Sequence, residues 1–269
     1  MTNGPRILVF DSGLGGLSVV KALREVAPDA QLAYAADNAA FPYGEWEEGA
    51  LMERMVEVMG KLIADMQPDV VVIACNTAST IGLDAMRQKF DVPFVGTVPA
   101  IKPAANLTKS GHIGVLATLG TVNREYTKAL IDTYAFHCEV KLHGAAKLAE
   151  IAEGKLSGRG VDLEALLSEV APVFVEDEKG RTDVVVLGCT HYPLLLDELE
   201  QVAPWPVTFI DPAPAIARQT LRVSEIEATR WASVNCTVLS SDISDIEENS
   251  GVISMFKQFG FLSVSITPR

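Results

Sequence analysis

The sequence predicts an α/β protein of two similar lobes, each a mostly parallel sheet flanked by helices. Three observations predict it. One phrase occurs twice: Asp69-Val70-Val71-Val72-Ile73-Ala74-Cys75-Asn76-Thr77 and Asp183-Val184-Val185-Val186-Leu187-Gly188-Cys189-Thr190-His191 each run from an acidic residue through four apolar residues and a small one to a cysteine with polar followers. An apolar run of that length, rich in β-branched residues, reads as a strand buried on both faces, as in parallel sheets. Strand-like runs then alternate with stretches of helical period, which is the order of βα units. Finally, 269 residues, 48% of them apolar, exceed one average domain and can fill two cores.

The first strand, Arg6 to Phe10, ends at Asp11-Ser12-Gly13-Leu14-Gly15-Gly16, and a helix follows with Val20, Leu23 and Ala27 on one face. Leu51, Met55, Val58, Leu62 and Met66 form the stripe of a second helix, its methionines core filler. Pro68 closes that helix before the Cys75 strand, and a third helix is expected from near Ser79, with Leu83, Met86 and Phe90 inward. The alternation resumes after Pro99: a strand from His112 to Ala117, a helix capped by Thr121 and running through Leu130, and a half-buried strand from Phe136 to His143. Ala145 to Glu153 reads as helix, and Leu156-Ser157-Gly158-Arg159-Gly160 as loop. The second cysteine strand, Val184 to Leu187, leads to a helix from about Pro193. Beyond Ser240 the tail is polar, with Asp242, Asp245, Glu247 and Glu248, and its pattern assigns it no role.

Composition narrows the function. A formal charge of −13 and an isoelectric point near 4.8 leave no basic stripe to displace counterions from a phosphate backbone, so nucleic acid is not an expected partner. Met1-Thr2-Asn3-Gly4-Pro5-Arg6 has neither a basic nor an apolar leader region, and no segment is long and apolar enough to span a bilayer. Cysteines at 75, 138, 189 and 236 show neither zinc-knuckle nor disulfide-framework spacing, and free thiols fit a reducing cytoplasm. Gly13-x-Gly15-Gly16 with Ser18 at the third position departs from the dinucleotide fingerprint, and no Lys-Ser/Thr pair makes a P-loop. No cofactor and no metal are therefore expected.

Cys75 and Cys189 each stand between a strand end, where α/β sheets place ligands, and a helix start, whose partial positive charge favours thiolate. A single such cysteine can equally be a small core hydrophobe. Two copies flanked by Asn76-Thr77 and Thr190-His191 argue for chemistry, because a core needs no amide, hydroxyls and imidazole there. Two thiols on equivalent strand ends suit a reaction that needs one on each side of a substrate. Asp11-Ser12 marks a third strand end, as a helix cap or as a carboxylate and hydroxyl in the same cleft as Cys75. His191 can assist Cys189 or bind a carboxylate. His137 and His143 share the parity of Glu139 and Lys141, a solvated face, and His112 reads as a loop residue at a strand start.

Asp11-Ser12-Gly13-Leu14-Gly15-Gly16, Phe41-Pro42-Tyr43-Gly44, Cys75-Asn76-Thr77-Ala78-Ser79 and Gly188-Cys189-Thr190-His191-Tyr192-Pro193 together resemble the signature set of the bacterial glutamate racemases, within the cofactor-independent aspartate/glutamate racemases. The resemblance runs in order from about residue 7 to 220. It implies two α/β lobes around an interlobe cleft that holds the active site. Residues 1–98 and 211–269 would form the lobe of Asp11 and Cys75, and residues 99–210 that of Cys189.

The resemblance further implies that Cys75 acts on D-glutamate and Cys189 on L-glutamate. Asp11 would assist the first cysteine, and His191 and Glu153 the second, with Glu150 close by in the same segment. Substrate contacts would be Asp11, Ser12, Tyr43, Gly44, Asn76, Thr77, Thr118, Thr121, Thr190 and His191, and the product D-glutamate would serve peptidoglycan. The assembly is left open, a homodimer included. An aspartate racemase, a non-catalytic two-lobed dicarboxylate binder and a thiol-disulfide switch are the competing readings. The last is disfavoured by the long separation of Cys75 and Cys189 and by the lack of a Cys-x-x-Cys pair. Because a general acid or base typically contributes about 10²–10⁴-fold, two thiols alone do not account for abstraction of an amino-acid α-proton. A dry, closed cleft must supply the rest.

Overall fold

The computed structural model describes residues 6–28, 30–224, 238–240, 256–257 and 259–261. The chain opens with β1 (Arg6–Asp11), α1 (Leu17–Val26), β2 (Gln31–Ala36), α2 (Glu48–Met66), β3 (Val70–Ile73), α3 (Asn76–Lys89) and β4 (Phe94–Gly96). Then come α4 (Ile101–Leu107), β5 (His112–Ala117), α5 (Leu119–Val122), α6 (Glu125–Tyr134), β6 (Glu139–Gly144), α7 (Leu148–Leu156) and α8 (Leu163–Val170). The small hairpin β7 (Glu176–Asp177) and β8 (Gly180–Arg181) precedes β9 (Val184–Gly188), α9 (Leu196–Val202), β10 (Thr208–Ile210), α10 (Ala213–Val223) and β11 (Val238–Ser240). The α/β class with parallel sheets flanked by helices is what the sequence predicts.

The chain divides into two compact units, Met1–Thr97 with Ala213–Arg269, and Val98–Pro212. In the first, five parallel strands follow the order β11-β2-β1-β3-β4. β3 is wholly buried, as its Val-Val-Val-Ile composition requires, and β1 is buried from Ile7 onward. One face carries α2, whose Leu51, Met55, Met59 and Leu62 join Phe10, Ile73 and Met86 in a single core. Fully burying each such side chain is worth about 1.5–3 kcal/mol. The chain's return to this unit is visible in Phe256 and Phe261, whose rings stand 5.9 and 6.2 Å from that of Tyr34 on β2.

The second unit carries four parallel strands in the order β10-β9-β5-β6, with the β7-β8 hairpin as a separate antiparallel pair. β5 and β9 are buried along their whole length. Among the described residues no helix is long and apolar enough to cross a membrane.

Several boundaries differ from expectation, each for a local reason. α3 begins at Asn76, not near Ser79, because Cys75 itself takes the N-cap and accepts the Ala78 N–H. Thr121 does not cap a long helix: Thr118 caps the short α5, and α6 starts afresh after Arg124. In the α2 stripe Met59 takes the buried place expected of Val58, and Met66 is only partly buried. The strand expected from Phe136 starts at Glu139, the helix expected from Ala145 is Leu148–Leu156, and Pro193 lies in a 3₁₀ turn (Tyr192–Leu195) ahead of α9. β2 and β4 escape sequence reading, the first because Gln-Leu-Ala-Tyr-Ala-Ala is alanine-rich, the second because three residues carry no period. Asp242, Asp245, Glu247 and Glu248 lie outside the described residues.

Candidate active site

Both sheets repeat one winding. In each unit the first strand (β1, β5) pairs with the second (β2, β6) on one side and with the third (β3, β9) on the other. The connection therefore reverses direction at the first strand, and ligands of such sheets bind outside the carboxyl ends at that switch. Asp11-Ser12 and Cys75 follow the first and third strands of one unit; Thr118 and Cys189 follow those of the other.

In the Cys75 half the backbone at the switch is held tightly. A Cβ on Gly16 would stand 3.0 Å from the Tyr34 ring and 3.1 Å from Ala74, so the turn after β1 needs glycine there. Tyr34 fastens that turn by donating its hydroxyl to the Gly13 carbonyl at 2.6 Å. Asp11 is fully buried and does not cap α1, whose N-cap is Gly16; its Oδ1 instead accepts the Ser12 N–H at 2.6 Å and the Ser12 hydroxyl at 3.3 Å. The same hydroxyl lies 3.7 Å from Cys75 Sγ, which also accepts the Ala78 N–H at 3.5 Å. The thiol thus sits on the positive end of a 14-residue helix, with a hydroxyl beside it that is itself set by a carboxylate. Asn76 and Thr77 are buried next to it. Neither Oδ1 nor Nδ2 of Asn76 finds a hydrogen-bond partner among the described residues.

Tyr43 is buried in the 3₁₀ turn Tyr43–Glu45, with partly buried Gly44 following, and donates its hydroxyl to Asp37 Oδ2 at 2.6 Å. Arg54 of α2 holds the same carboxylate, Nε to Oδ2 at 2.6 Å and Nη2 to Oδ1 at 2.5 Å. The sequence reading missed both partners. The signals were there: Asp37 stands at the carboxyl end of a strand, as Asp11 does, and Arg54 stands three residues after Leu51 on an otherwise apolar face.

In the Cys189 half the arrangement differs. A Cβ on Gly188 would meet the Leu116 carbonyl at 2.9 Å, so β9 reaches its end in close contact with β5. Cys189 Sγ is 3.7 Å from His191 Nδ1, and His191 Nε2 is 2.9 Å from Glu153 Oε1 on α7. Glu150, also on α7, is exposed, and Glu153 is the carboxylate on the imidazole. Burial alone would lower the His191 pKa, but hydrogen bonds to Cys189 and Glu153, and their charges, outweigh it and hold it well above the ordinary histidine value. Lys155 anchors the same helix by donating to the Leu194 carbonyl at 2.9 Å and to Glu198 at 2.7 Å. Thr118 accepts the Thr121 N–H at 3.2 Å and donates to its hydroxyl at 3.0 Å; Thr121 and Thr190 are buried.

The remaining histidines fall elsewhere. His137 is exposed, ahead of β6 and not on it, and His143 within β6 is partly exposed. His112 is not a loop residue: it starts β5, buried, with Nε2 3.2 Å from Asp177. Among the described residues no group of three His, Cys, Asp or Glu is placed to hold a metal ion.

Each unit thus carries at its own switch point a buried thiol beside a group able to stabilise its charge, which is equipment for acid–base chemistry. The chain belongs to the Asp/Glu/Hydantoin racemase family, whose model matches residues 17–220. A glutamate racemase of Brucella anthropi is 56% identical over 216 residues, covering 80% of this chain and 78% of its own. The crystal structure of Escherichia coli glutamate racemase in complex with L-glutamate and the activator UDP-MurNAc-ala is similar at a TM-score of 0.90 and 42% identity, over 98% of each chain. A glutamate racemase isoform of Bacillus anthracis is similar at a TM-score of 0.83 and 26% identity, over 99% of this chain and 98% of its own.

Proposed function

We propose that this chain is a glutamate racemase that interconverts L- and D-glutamate by proton transfer at the α-carbon, with Cys75 and Cys189 as the two proton-handling groups. From L-glutamate, the Cys189 thiolate takes the α-proton and becomes a thiol. The resulting carbanion takes a proton from the Cys75 thiol on its opposite face, which yields D-glutamate and a Cys75 thiolate. The reverse reaction, or exchange with water, restores the starting protonation. No electron is gained or lost, and the side chains balance the protons without a cofactor.

The observation that carries the reading is the occurrence of a buried thiol at the same strand end of both units, each hydrogen-bonded to groups that can stabilise its charge. In the proposal Asp11 sets Ser12 beside Cys75, while Glu153 holds His191 as a donor to Cys189. Tyr43, Gly44, Ser12, Asn76, Thr77, Thr118, Thr121 and Thr190 bind substrate. The unpaired Asn76 amide supports this role: a buried amide without partners costs about 1–3 kcal/mol, and a substrate carboxylate and ammonium would supply both kinds of partner. The product would feed peptidoglycan synthesis, and through it cell-wall biogenesis and cell shape. Free thiols at Cys75, Cys138 and Cys189 support a cytoplasmic setting.

The test is isotopic. Dialysed protein, with chelator present, is given L-glutamate in D₂O, and the enantiomers are separated at low conversion. A thiol that exchanges with solvent before delivering its proton places deuterium on the α-carbon of the D-glutamate formed, while remaining L-glutamate stays largely protonated. Mostly protonated D-glutamate would mean one swinging base and would overturn the two-thiol mechanism. A requirement for added pyridoxal phosphate or metal would overturn it as well, and faster turnover of the aspartate enantiomers would move the substrate.

A further inference from the structure

Arg54 occupies a place that α2 otherwise gives to apolar side chains, between Leu51 and Met55 of the buried stripe. Its fork closes on Asp37, a carboxylate only 3% exposed, through the two short hydrogen bonds described above. Bidentate Arg–carboxylate pairs are the strong, geometrically specific ones, and losing one partner of a buried pair strands the other's charge. The guanidinium also lies 5.8 Å over the Trp46 ring, whose Nε1 donates to the Ala40 carbonyl at 2.8 Å. One residue of α2 thereby fastens the turns at Asn38–Ala40 and Tyr43–Glu45.

Those turns border Cys75. Tyr43 shares a core with Cys75, Ala78 and Phe10, its ring 6.4 Å from that of Phe10. Burial first, then the charge and hydrogen bond of Asp37, then the charge of Cys75, push the Tyr43 pKa well up, against a lowering by Arg54. Tyr43 is accordingly a neutral donor standing between Asp37 and the thiol. Asp37 follows β2 and Cys75 follows β3, with β1 between them, so two strand spacings, about 10 Å, separate the strand ends. At the effective dielectric of a protein, an uncompensated carboxylate at that distance raises a thiol's pKa by about one unit. The charged and titratable groups around Cys75 in this unit include Asp11 through Ser12, Tyr43, and the Asp37–Arg54 pair beyond Tyr43, with the N-terminus of α3 beneath it.

We propose that Arg54 is a positioning residue of the Cys75 half-site: its grip on Asp37 holds the Tyr43–Gly44 turn in place and cancels a buried carboxylate that would otherwise oppose the Cys75 thiolate. Only the kinetic arm of its test rests on the racemase reading. Cys75 is made the single thiol by Cys138→Ala, Cys189→Ala and Cys236→Ala, and its ionisation is followed by thiolate absorbance and by iodoacetamide rate against pH. Arg54→Met raises the Cys75 pKa by about one unit, and adding Asp37→Asn returns it to near its starting value. Asp37→Asn alone, which strands the cation, shifts it the opposite way and serves if Arg54→Met does not fold. An unmoved Cys75 ionisation in folded Arg54→Met or Asp37→Asn protein overturns the proposal.

With all four cysteines present, Arg54→Met lowers kcat about tenfold with KM within about threefold, and Asp37→Asn in that background recovers most of the loss. Additive losses would indicate a merely structural pair and overturn the proposal. Should the thiol shifts appear in a chain that does not racemise glutamate, the racemase reading falls and the electrostatic role of Arg54 stands.

Discussion

Cys75 and Cys189 close the same phrase on equivalent strands, yet the structure surrounds them differently. Cys75 caps a helix: its sulfur accepts a backbone N–H from α3 and has a serine hydroxyl beside it. Cys189 caps nothing, since only a 3₁₀ turn follows it, and its neighbour is an imidazole tied to a carboxylate. A thiolate can be stabilised by a fixed backbone dipole or by a titratable cation, and this molecule uses one means in each unit. The difference matters for pH. The helix end is charged at every pH, while His191 must hold its proton.

The largest effects break the symmetry of need. In the proposed mechanism each enantiomer requires a base on one face and an acid on the other. Cys75→Ala and Cys189→Ala should therefore each lower racemisation by roughly 10³-fold or more, followed by circular dichroism of the glutamate enantiomers. Cys138→Ala should leave the rate near wild type, its thiol lying partly buried in the second unit's core and raised in pKa by that burial. Substantial two-way turnover without Cys75 would end the paired-thiol account.

A smaller effect should appear in one half only. Glu153→Gln removes the carboxylate that helps hold the His191 pKa up, so turnover should fall about tenfold and its alkaline limb should move to lower pH. Stability carries the same sign. A histidine whose folded pKa is raised contributes stability that is fully present below about 6.5, its unfolded value, and is lost as pH rises through the folded value. The stability gap between wild type and Glu153→Gln, read from urea midpoints, should then shrink with rising pH. A gap that widens would contradict the pairing.

How much of this was legible follows from where each contact comes from. Cys75, Cys189 and their polar neighbours were readable because apolar runs flag strand ends and because the phrase repeats. The parallel sheets were readable for the same reason. Glu153 was not separable from Glu150 by pattern, since both sit on one helix and only the docking of α7 against the His191 turn chooses between them. Asp37 and Arg54 were missed because an alanine-rich strand hides the first and an apolar stripe hides the second, and their meeting joins residues seventeen apart. The Cys75 cap was missed because Ser79 looks the better cap. Its hydroxyl is instead spent inside the turn, donating to the Ile73 carbonyl at 3.0 Å and accepting the Thr97 N–H at 2.9 Å.

The smallest effect is also the sharpest test of the comparison, because one substitution is asked to act oppositely in the two halves. Serine is a preferred N-cap, whereas a thiol accepts a backbone N–H weakly. Cys75→Ser places a better acceptor where Sγ now meets the Ala78 N–H at 3.5 Å, so α3 should gain about 0.5–1 kcal/mol. Cys189→Ser finds no helix N-terminus to cap, and its neighbour His191 lies 3.7 Å away. There the new hydroxyl is buried in place of a weakly polar sulfur, for a loss of about 1 kcal/mol. Both positions are nearly equally buried, at 6% and 5% exposure, so the difference comes from whether the new hydroxyl meets a helix N–H and not from how deeply it lies. Urea unfolding of the two inactive variants should therefore put Cys75→Ser above Cys189→Ser by about 1.5–2 kcal/mol. Equal midpoints would mean that the Cys75 cap contributes nothing to holding α3, and that the two thiols differ in their neighbours but not in their attachment to the fold.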